Sequence, residues 1–500
     1  MIRRLADLAA GLPDALVSGS GETAISDIQY DSRLVTPGCL FAALRGWYVD
    51  GHGYVHGAIE RGASAVLIDR EIDHDIPSIR VIDTRVALSP VAAEFFDHPS
   101  RKLGVIGITG TDGKTTTSYL TDAILGKTGV TTGVIGTVSV KVADQIVQHE
   151  TRQTTPESLE IQRLLRDMVD AEVQWAILEA TSHGLAQHRL DDVEFDIAAV
   201  TNITHEHLEF HKTIENYRAA KAKLFDRVSA TGGRAVVNVD DEGARGVLPH
   251  AAGTTLLTYS TRADAADLLA TKIRIGVHGT TFDVRYQGAT MAFESPLIGG
   301  FNVENALCAT GIALSAGLEL DQIAAGLRTA PAIPGRMERV DEGQPFTVIV
   351  DYAHTPDSLQ KLLLLLRQLS PDGNIIAVSG SAGERDVAKR ALQGTVSARL
   401  ADFSVFTTED PRFEDAAAIV EQIATGAAET GAIAGRDYVT IVDRTEAIAA
   451  AIDRAVPGDV VLLAGKGHER SIIWGAEKVP WNEPQVARSL LRAKGYSPGT

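Results

Sequence analysis

Two cysteines in 500 residues, Cys39 and Cys308, exclude a disulfide framework, and neither has the spacing of a metal site. Both suit buried small side chains. Basic residues are in short supply: 47 Lys and Arg stand against 65 Asp and Glu, a formal net charge of −18. That deficit excludes a nucleic-acid or anionic-membrane partner held by bulk charge, so any anionic substrate must be drawn in by local clusters and metal ions. No apolar run reaches about 18 residues, which excludes a membrane-spanning helix. The opening stretch, MIRRLADLAAGLPDAL, has neither an apolar h-region nor a small-residue cleavage site, and a cytoplasmic protein is expected. Repeats and low-complexity tracts are missing as well.

What remains is an ordinary globular composition, 44% hydrophobic and 22% charged. The chain is too long for one core and predicts roughly three domains of ~100–200 residues each. Residues 1–102 form a first unit with short apolar segments at 39–44 and 65–68, ending at the polar break His98-Pro99-Ser100-Arg101-Lys102. From 103 to 331, apolar strands at 133–136, 175–178 and 197–200 alternate with helical patterns, one of them at 156–170, which predicts a parallel sheet covered on both faces. Two prolines and a glycine at 331–336 read as a hinge or linker. Beyond it, at 332–500, strands at 347–350, 374–378, 403–406 and 459–464 predict a second open α/β domain.

The strand at 105–108 runs into Gly110-Thr111-Asp112-Gly113-Lys114-Thr115-Thr116. Glycines at 110 and 113 let backbone amides close around phosphate oxygens, Lys114 adds a point charge, and the hydroxyls of Thr115 and Thr116 can reach Mg²⁺. Gly110 lies only three residues before Gly113, where the common phosphate loop has a longer spacer, so a specialised branch of phosphate-binding enzymes is indicated. Glu179 follows a strand and offers a hard oxygen ligand. His205, Glu206 and His207 follow another, though histidines alone would more often be surface or hydrogen-bonded residues.

The order of the motifs Gly-Thr-Asp-Gly-Lys-Thr-Thr (110–116), Glu-Ala-Thr-Ser-His-Gly-Leu (179–185), Thr-Asn-Ile-Thr-His-Glu-His-Leu-Glu (201–209), Phe-Asn-Val-Glu-Asn-Ala (301–306) and Asp-Tyr-Ala-His-Thr-Pro (351–356) resembles the Mur ligase family. Asp-Ser-Arg (31–33), Gln-His-Arg (187–189), 383–390 and Ala-Gly-Lys-Gly-His-Glu (464–469) resemble its MurE type more narrowly. The resemblance implies three α/β domains: a UDP-sugar-binding unit at 1–102, a central P-loop-type ATPase at 103–331 and a Rossmann-like amino-acid-binding unit at 332–500. It implies an ATP- and Mg²⁺-dependent ligase, expected as a monomer. That ligase adds a third residue, L-lysine, meso-diaminopimelate or L-ornithine, to UDP-N-acetylmuramoyl-L-alanyl-D-glutamate in peptidoglycan precursor synthesis. The substrate carboxylate attacks the ATP γ-phosphate, and the incoming amine displaces phosphate from the acyl-phosphate.

Site residues follow from the same resemblance. Lys114, Glu179, His207 and Lys221 are the expected catalytic set, with Mg²⁺ held by Thr115, Glu179, His207 and Lys221 as a carbamate. Read on its own, Lys221 is a solvated lysine on an amphipathic helix. ATP is assigned to 110–116 with Asn305, Arg336, Asp351 and His354, although alone Asn305 fits a helix cap and Asp351 the start of a turn. The UDP-sugar dipeptide is assigned to Ser32, the 46–52 loop, Thr154, Thr155, Ser182, Gln187 and Arg189. The amino acid is assigned to Arg385, Arg390, Asp410, Arg412, Gly465 and Glu469.

Two positions depart from the family pattern: Asp112 and Asp410 stand where asparagine is more frequent. Arg412 favours an acidic distal group on the amino acid. Asp410 would repel it, would attract an ammonium instead, or would pair with Arg412 and cancel it. A folylpolyglutamate synthetase-like enzyme, an amidotransferring homologue and a non-catalytic nucleotide-binding regulator are the competing readings.

Overall fold

The computed structural model describes residues 1–46, 49–147, 153–204, 206–276 and 279–497. His205 and residues 47–48 of the 46–52 loop lie outside them. Three larger sheets carry the chain, and helices pack on their faces.

The first sheet has five strands in the order Leu16–Ser18, Ser78–Arg80, Ala65–Ile68, Cys39–Ala42 and Asp27–Gln29, all parallel neighbours except the first pair. Strands Cys39–Ala42 and Ala65–Ile68 are buried along their whole length, as expected of the interior of a sheet covered on both faces.

The second sheet is built around parallel strands Thr132–Ile135, Trp175–Glu179, Gly104–Thr109, Ile197–Val200, Arg234–Asn238, Thr255–Ser260 and Leu268–Gly276. Helix Lys114–Lys127 packs on one face with Gly300–Ser315, and Ile214–Thr231 packs on the other. The parallel sheet expected from sequence is present, with antiparallel strands added at both edges. Val140–Val142 and Gln145–Val147 extend one side as an antiparallel hairpin, and Gly279–Tyr286 with Ala289–Ser295 extends the other. The second extension alternates buried and exposed residues, the pattern of a sheet with one wet face.

The third sheet runs Glu338–Val340, Thr347–Asp351, Val460–Ala464, Ile375–Ser379, Phe403–Phe406 and Tyr438–Thr440, antiparallel only at the first pair. The helix expected over 156–170 is Ser158–Asp170, and the strands expected at 197–200 and 403–406 have those bounds. Among the described residues, no helix is long and apolar enough to cross a membrane.

The loops that matter leave the carboxyl ends of parallel strands. Residues 110–114 follow Thr109, Glu179 ends its strand, 201–207 follow Val200, Asp351 ends its strand, and 407–412 and 465–469 follow Phe406 and Ala464. Ligands collect at such ends in open α/β sheets, and here the ends of two sheets open on one cleft.

Candidate active site

A cleft of about 1310 Å³ is bounded by all three units. Its floor is the loop 110–116. Gly110 and Gly113 have φ of 152° and 86°. A Cβ would lie 1.9 Å from Thr201 Oγ1 at the first and 2.2 Å from Asn305 Oδ1 at the second, so only glycine lets the loop close this tightly. The following motif staples it from outside: the Thr111 amide donates to the Asn202 carbonyl (2.7 Å), the Asp112 amide to Asn202 Oδ1 (3.0 Å), and Thr201 Oγ1 to the Asp112 carbonyl (2.6 Å). The loop ends at the N-terminus of helix Lys114–Lys127, where free amides favour anions. Lys114 Nζ folds back onto the carbonyls of Gly110 and Thr111, both at 2.8 Å.

Oxygen donors suited to a hard cation stand at the cradle's edge. Thr115 Oγ1 donates to Glu179 Oε2 at 2.9 Å, while the amide and hydroxyl of Thr137 donate to the two Glu179 oxygens at 3.0 and 2.8 Å. Among the described residues no group of three His, Cys, Asp or Glu converges on a point that could cage a metal. A hydroxyl and one oriented carboxylate beside a phosphate loop nevertheless fit Mg²⁺, which keeps waters and takes much of its coordination from substrate phosphates. His207, in the left-handed region at φ 56°, lines the cleft, with its Nε2 3.6 Å from Glu206 Oε2 and its Nδ1 3.4 Å from Glu209 Oε1. His183, which sequence reasoning passed over, packs edge-on against the His207 ring at 4.7 Å. Burial, reinforced by His207 and His211, lowers its imidazole to about 3.

Lys221 is not a solvated lysine. It is 1% exposed on the inner face of helix Ile214–Thr231, with Nζ 2.7 Å from the Gly110 carbonyl and 4.7 Å from the Tyr217 ring centre. Burial first, and then the nearby Lys114 cation, push its amine well below the ordinary lysine range. Glu206, named in the 201–209 motif but given no role there, is a further residue of the site. Its burial works to raise the carboxyl, but His207, His354 and Lys114 hold it well below the usual carboxylate range. His354 Nε2 lies 3.5 Å from Glu206 Oε1, so this carboxylate links the central unit to the C-terminal one. The sequence placed this carboxylate at a strand end beside two histidines but assigned it no partner. Asp112, by contrast, has its carboxyl raised by burial and by Glu206, and its Oδ2 has no partner among the described residues.

Asn305 is no helix cap. It sits inside helix Gly300–Ser315, lines the cleft, and donates to Asn302 Oδ1 at 3.1 Å. Leu297, Phe301, Ile333 and Leu362 give the same cleft an apolar wall suited to a purine. Asp351 holds the turn expected of it, accepting from the amides of Ala353 (2.8 Å) and Met337 (2.7 Å). Arg336 lies over the Tyr352 ring at 4.7 Å.

Elsewhere in the lining, Arg189 Nη1 donates to the Thr155 carbonyl (2.8 Å) and Nη2 to Gln187 Oε1 (2.6 Å), and the guanidinium also pairs with Glu157 at 3.0 Å. Glu157 in turn binds Arg85 of the first unit at 2.9 Å, so two arginines from different units share one carboxylate at the cleft wall. Neither Glu157 nor Arg85 was legible from spacing. Thr154, Thr155, Gln187 and Arg189 line the cleft. Ser182 is buried behind them with no partner for its Oγ among the described residues, and Ser32, on the turn Ser32–Leu34, is not part of the lining.

The 384–412 region supplies Arg385 and Arg412 to the cleft. Arg390 is turned inward, 1% exposed, with both Nη atoms on Glu414 at 2.9 Å and one on Gln422 at 2.7 Å, so it braces the loop from below. Asp410, Gly465 and Glu469 also lie behind the lining, and Lys466, unassigned from sequence, is buried between Asp410 and Glu469.

Family models match three successive segments of the chain. Residues 24–96 match the Mur ligase family catalytic domain, 108–313 the Mur ligase middle domain, and 335–467 the Mur ligase glutamate ligase domain. The chain belongs to the Mur ligase family. It is 46% identical to the UDP-N-acetylmuramyl-tripeptide synthetase of Roseiflexus sp. (strain RS-1), over 94% of this chain and 95% of that protein. It is 41% identical to the UDP-N-acetylmuramoyl-L-alanyl-D-glutamate--2,6-diaminopimelate ligase of Geobacillus kaustophilus (strain HTA426), over 98% and 100%. Among solved Mur ligases, a UDP-N-acetylmuramoyl-L-alanyl-D-glutamate--2,6-diaminopimelate ligase superposes with a TM-score of 0.68 at 30% identity, covering 99% of this chain and 100% of that one. The folylpolyglutamate synthase of Mycobacterium tuberculosis, bound to ADP and AMPPCP, shares the fold at a TM-score of 0.61 but only 19% identity, over 83% of this chain and 96% of that one.

Proposed function

We propose that this Mur ligase joins a diamino acid to UDP-N-acetylmuramoyl-L-alanyl-D-glutamate at the expense of ATP, through an acyl-phosphate. The observation that carries the reading is the single cleft lined together by a phosphate cradle, the Glu157-centred arginines and the pair Arg385 and Arg412. The names of the relatives in Roseiflexus and Geobacillus supply the substrate, and the second of them names 2,6-diaminopimelate. Arg412 and Arg385 support an acceptor with a distal carboxylate, since both arginines line the cleft.

The residues divide the work. The amides of 110–114 and Lys114 bind the ATP phosphates, and Lys114 leaves its two loop carbonyls for them. When bound, Mg²⁺ neutralises charge developing on the transferred phosphoryl group, and Thr115, Glu179, His207 and carbamylated Lys221 are the residues we assign to it. Arg189, oriented by Gln187 and the Thr155 carbonyl, holds the dipeptide substrate. Asn305, Arg336, Asp351 and His354 hold the adenosine. The walls keep water from the acyl-phosphate. A monomer suffices, because one chain furnishes every group named.

The test is phosphate release by the purified protein with ATP, Mg²⁺ and the UDP-sugar dipeptide, offered meso-diaminopimelate, L-lysine or L-ornithine in turn, with product masses measured. Turnover with meso-diaminopimelate and a product heavier by that residue is the expected result. Silence with all three refutes the reading.

A further inference from the structure

Position 410 carries a carboxylate beside an arginine that the cleft needs free. In the structure that carboxylate is engaged behind the wall. Asp410 is 4% exposed, and its Oδ1 accepts from Lys466 Nζ at 2.8 Å and from the Ile473 amide at 2.9 Å. Lys466 is completely buried and also pairs with Glu469. The Ile473 carbonyl accepts from the Arg412 amide at 2.9 Å, and the Arg412 carbonyl from the Gly475 amide at 2.7 Å. Lys466, Asp410, strand Ser471–Trp474 and the Arg412 backbone are thus one connected chain of bonds. It holds Arg412 at φ 55°, a conformation unfavourable for a residue with a Cβ. The Arg412 side chain reaches the cleft, where its Nε has no partner among the described residues.

We propose that Lys466 is a positioning and specificity residue for the incoming amino acid: by pairing with Asp410 it offsets the extra carboxylate and fixes the 410–412 turn, leaving Arg412 to receive a distal carboxylate on that substrate. The proposal rests on reading this end of the cleft as the amino-acid end. Charge arithmetic makes it testable. Lys466, Asp410 and Glu469 are one cation and two carboxylates, a net −1. Loss of the lysine gives −2 beside Arg412, and loss of both Lys466 and Asp410 charges gives −1 again, with Asn Oδ1 still able to accept from Ile473.

The experiment is steady-state kinetics of the full chain with ATP, the UDP-sugar dipeptide and either meso-diaminopimelate or L-lysine. The wild type is expected to prefer meso-diaminopimelate by about tenfold or more in kcat/KM, and Arg412→Ala to lose most of that preference. A wild type with no such preference, or an Arg412→Ala variant that keeps it, overturns the amino-acid-end reading and this proposal with it. Given that preference, Lys466→Met is expected to raise KM for meso-diaminopimelate by about tenfold or more while KM for ATP moves far less, and Lys466→Met with Asp410→Asn to recover most of the loss. A lysine that only supports the fold would depress every parameter together and gain nothing from the second substitution. That pattern, or an unmoved KM in Lys466→Met, overturns the proposal. If Lys466→Met does not fold, recovery of folded protein by adding Asp410→Asn supports the pairing, and a double variant that also fails to fold overturns it.

Discussion

Lys114 and Lys221 donate to one acceptor, the carbonyl of Gly110, at 2.8 and 2.7 Å. Two ammonium groups this close repel, and the buried one yields: Lys221 is driven toward the neutral amine by burial and by Lys114. A neutral amine is the form that adds to carbon dioxide, releasing a proton and leaving a carbamate. Lys221→Ala is therefore expected to lower kcat by roughly 100-fold or more, the scale of removing one group that stabilises transition-state charge, while circular dichroism stays native. Unchanged turnover removes the role assigned to Lys221.

How far the sequence reached is clearest from such pairs. The cradle was legible because glycine, lysine and hydroxyl chemistry falls within seven consecutive residues after an apolar strand. Lys221 was legible only through the family pattern, since a lysine on a helix carries no local sign of burial; the structure shows it 1% exposed because its helix turns that face to the back of the loop. Glu206, Glu157 and Lys466 received no role for the same reason, as their partners His354, Arg85 and Asp410 are contributed by distant segments. The antiparallel edges were missed because a hairpin whose one face is wet alternates polar and apolar residues and lacks the continuous apolar run of the central strands.

A buried ion pair braces, from behind, the end of the cleft that we propose for the amino acid. Arg444 and Glu483 are both fully buried, and Arg444 also donates to the carbonyls of Thr408 (3.0 Å) and Ala464 (2.8 Å), the residues from which the 409–412 and 465–469 loops depart. Arg444→Met strands the Glu483 carboxylate and is expected to cost about 3–5 kcal/mol in denaturant unfolding. Adding Glu483→Gln removes the stranded charge and is expected to recover part of it. Equal stability of the single and double variants contradicts the pairing.

Both thiols are expected to be silent. Cys39 and Cys308 are completely buried, and burial pushes the Cys308 thiol up to about 12, so almost no thiolate exists at neutral pH. A chromogenic disulfide reagent should report no fast-reacting thiol in the native protein and two after denaturation. A rapid native reaction places one cysteine outside the core.

The linker at 331–336 is expected to act as a hinge, and the structure narrows where it can bend. Ile333 is 1% exposed in the core of the central unit. Gly335, at φ 64°, presses on the 465–469 loop, where a Cβ would come within 2.1 Å of the His468 amide nitrogen. The Met337 amide is held by Asp351, and Arg336 lies on Tyr352. Residues 335–337 therefore travel with the C-terminal sheet, Ile333 stays with the central one, and the swivel lies around Pro334. Closure on bound ATP analogue and dipeptide should shrink the radius of gyration in solution scattering, and identical profiles with and without them would count against the hinge. Gly335→Ala tests the same joint from the side of strain: a left-handed alanine costs about 1–2 kcal/mol before any clash with the His468 backbone. Because the displaced loop carries Lys466 and Glu469, that variant is expected to weaken amino-acid binding as well as stability, read as a raised KM for the amino acid alongside a lower Tm. A lowered Tm with kinetics intact would mean that the 465–469 loop yields without disturbing the substrate end of the cleft.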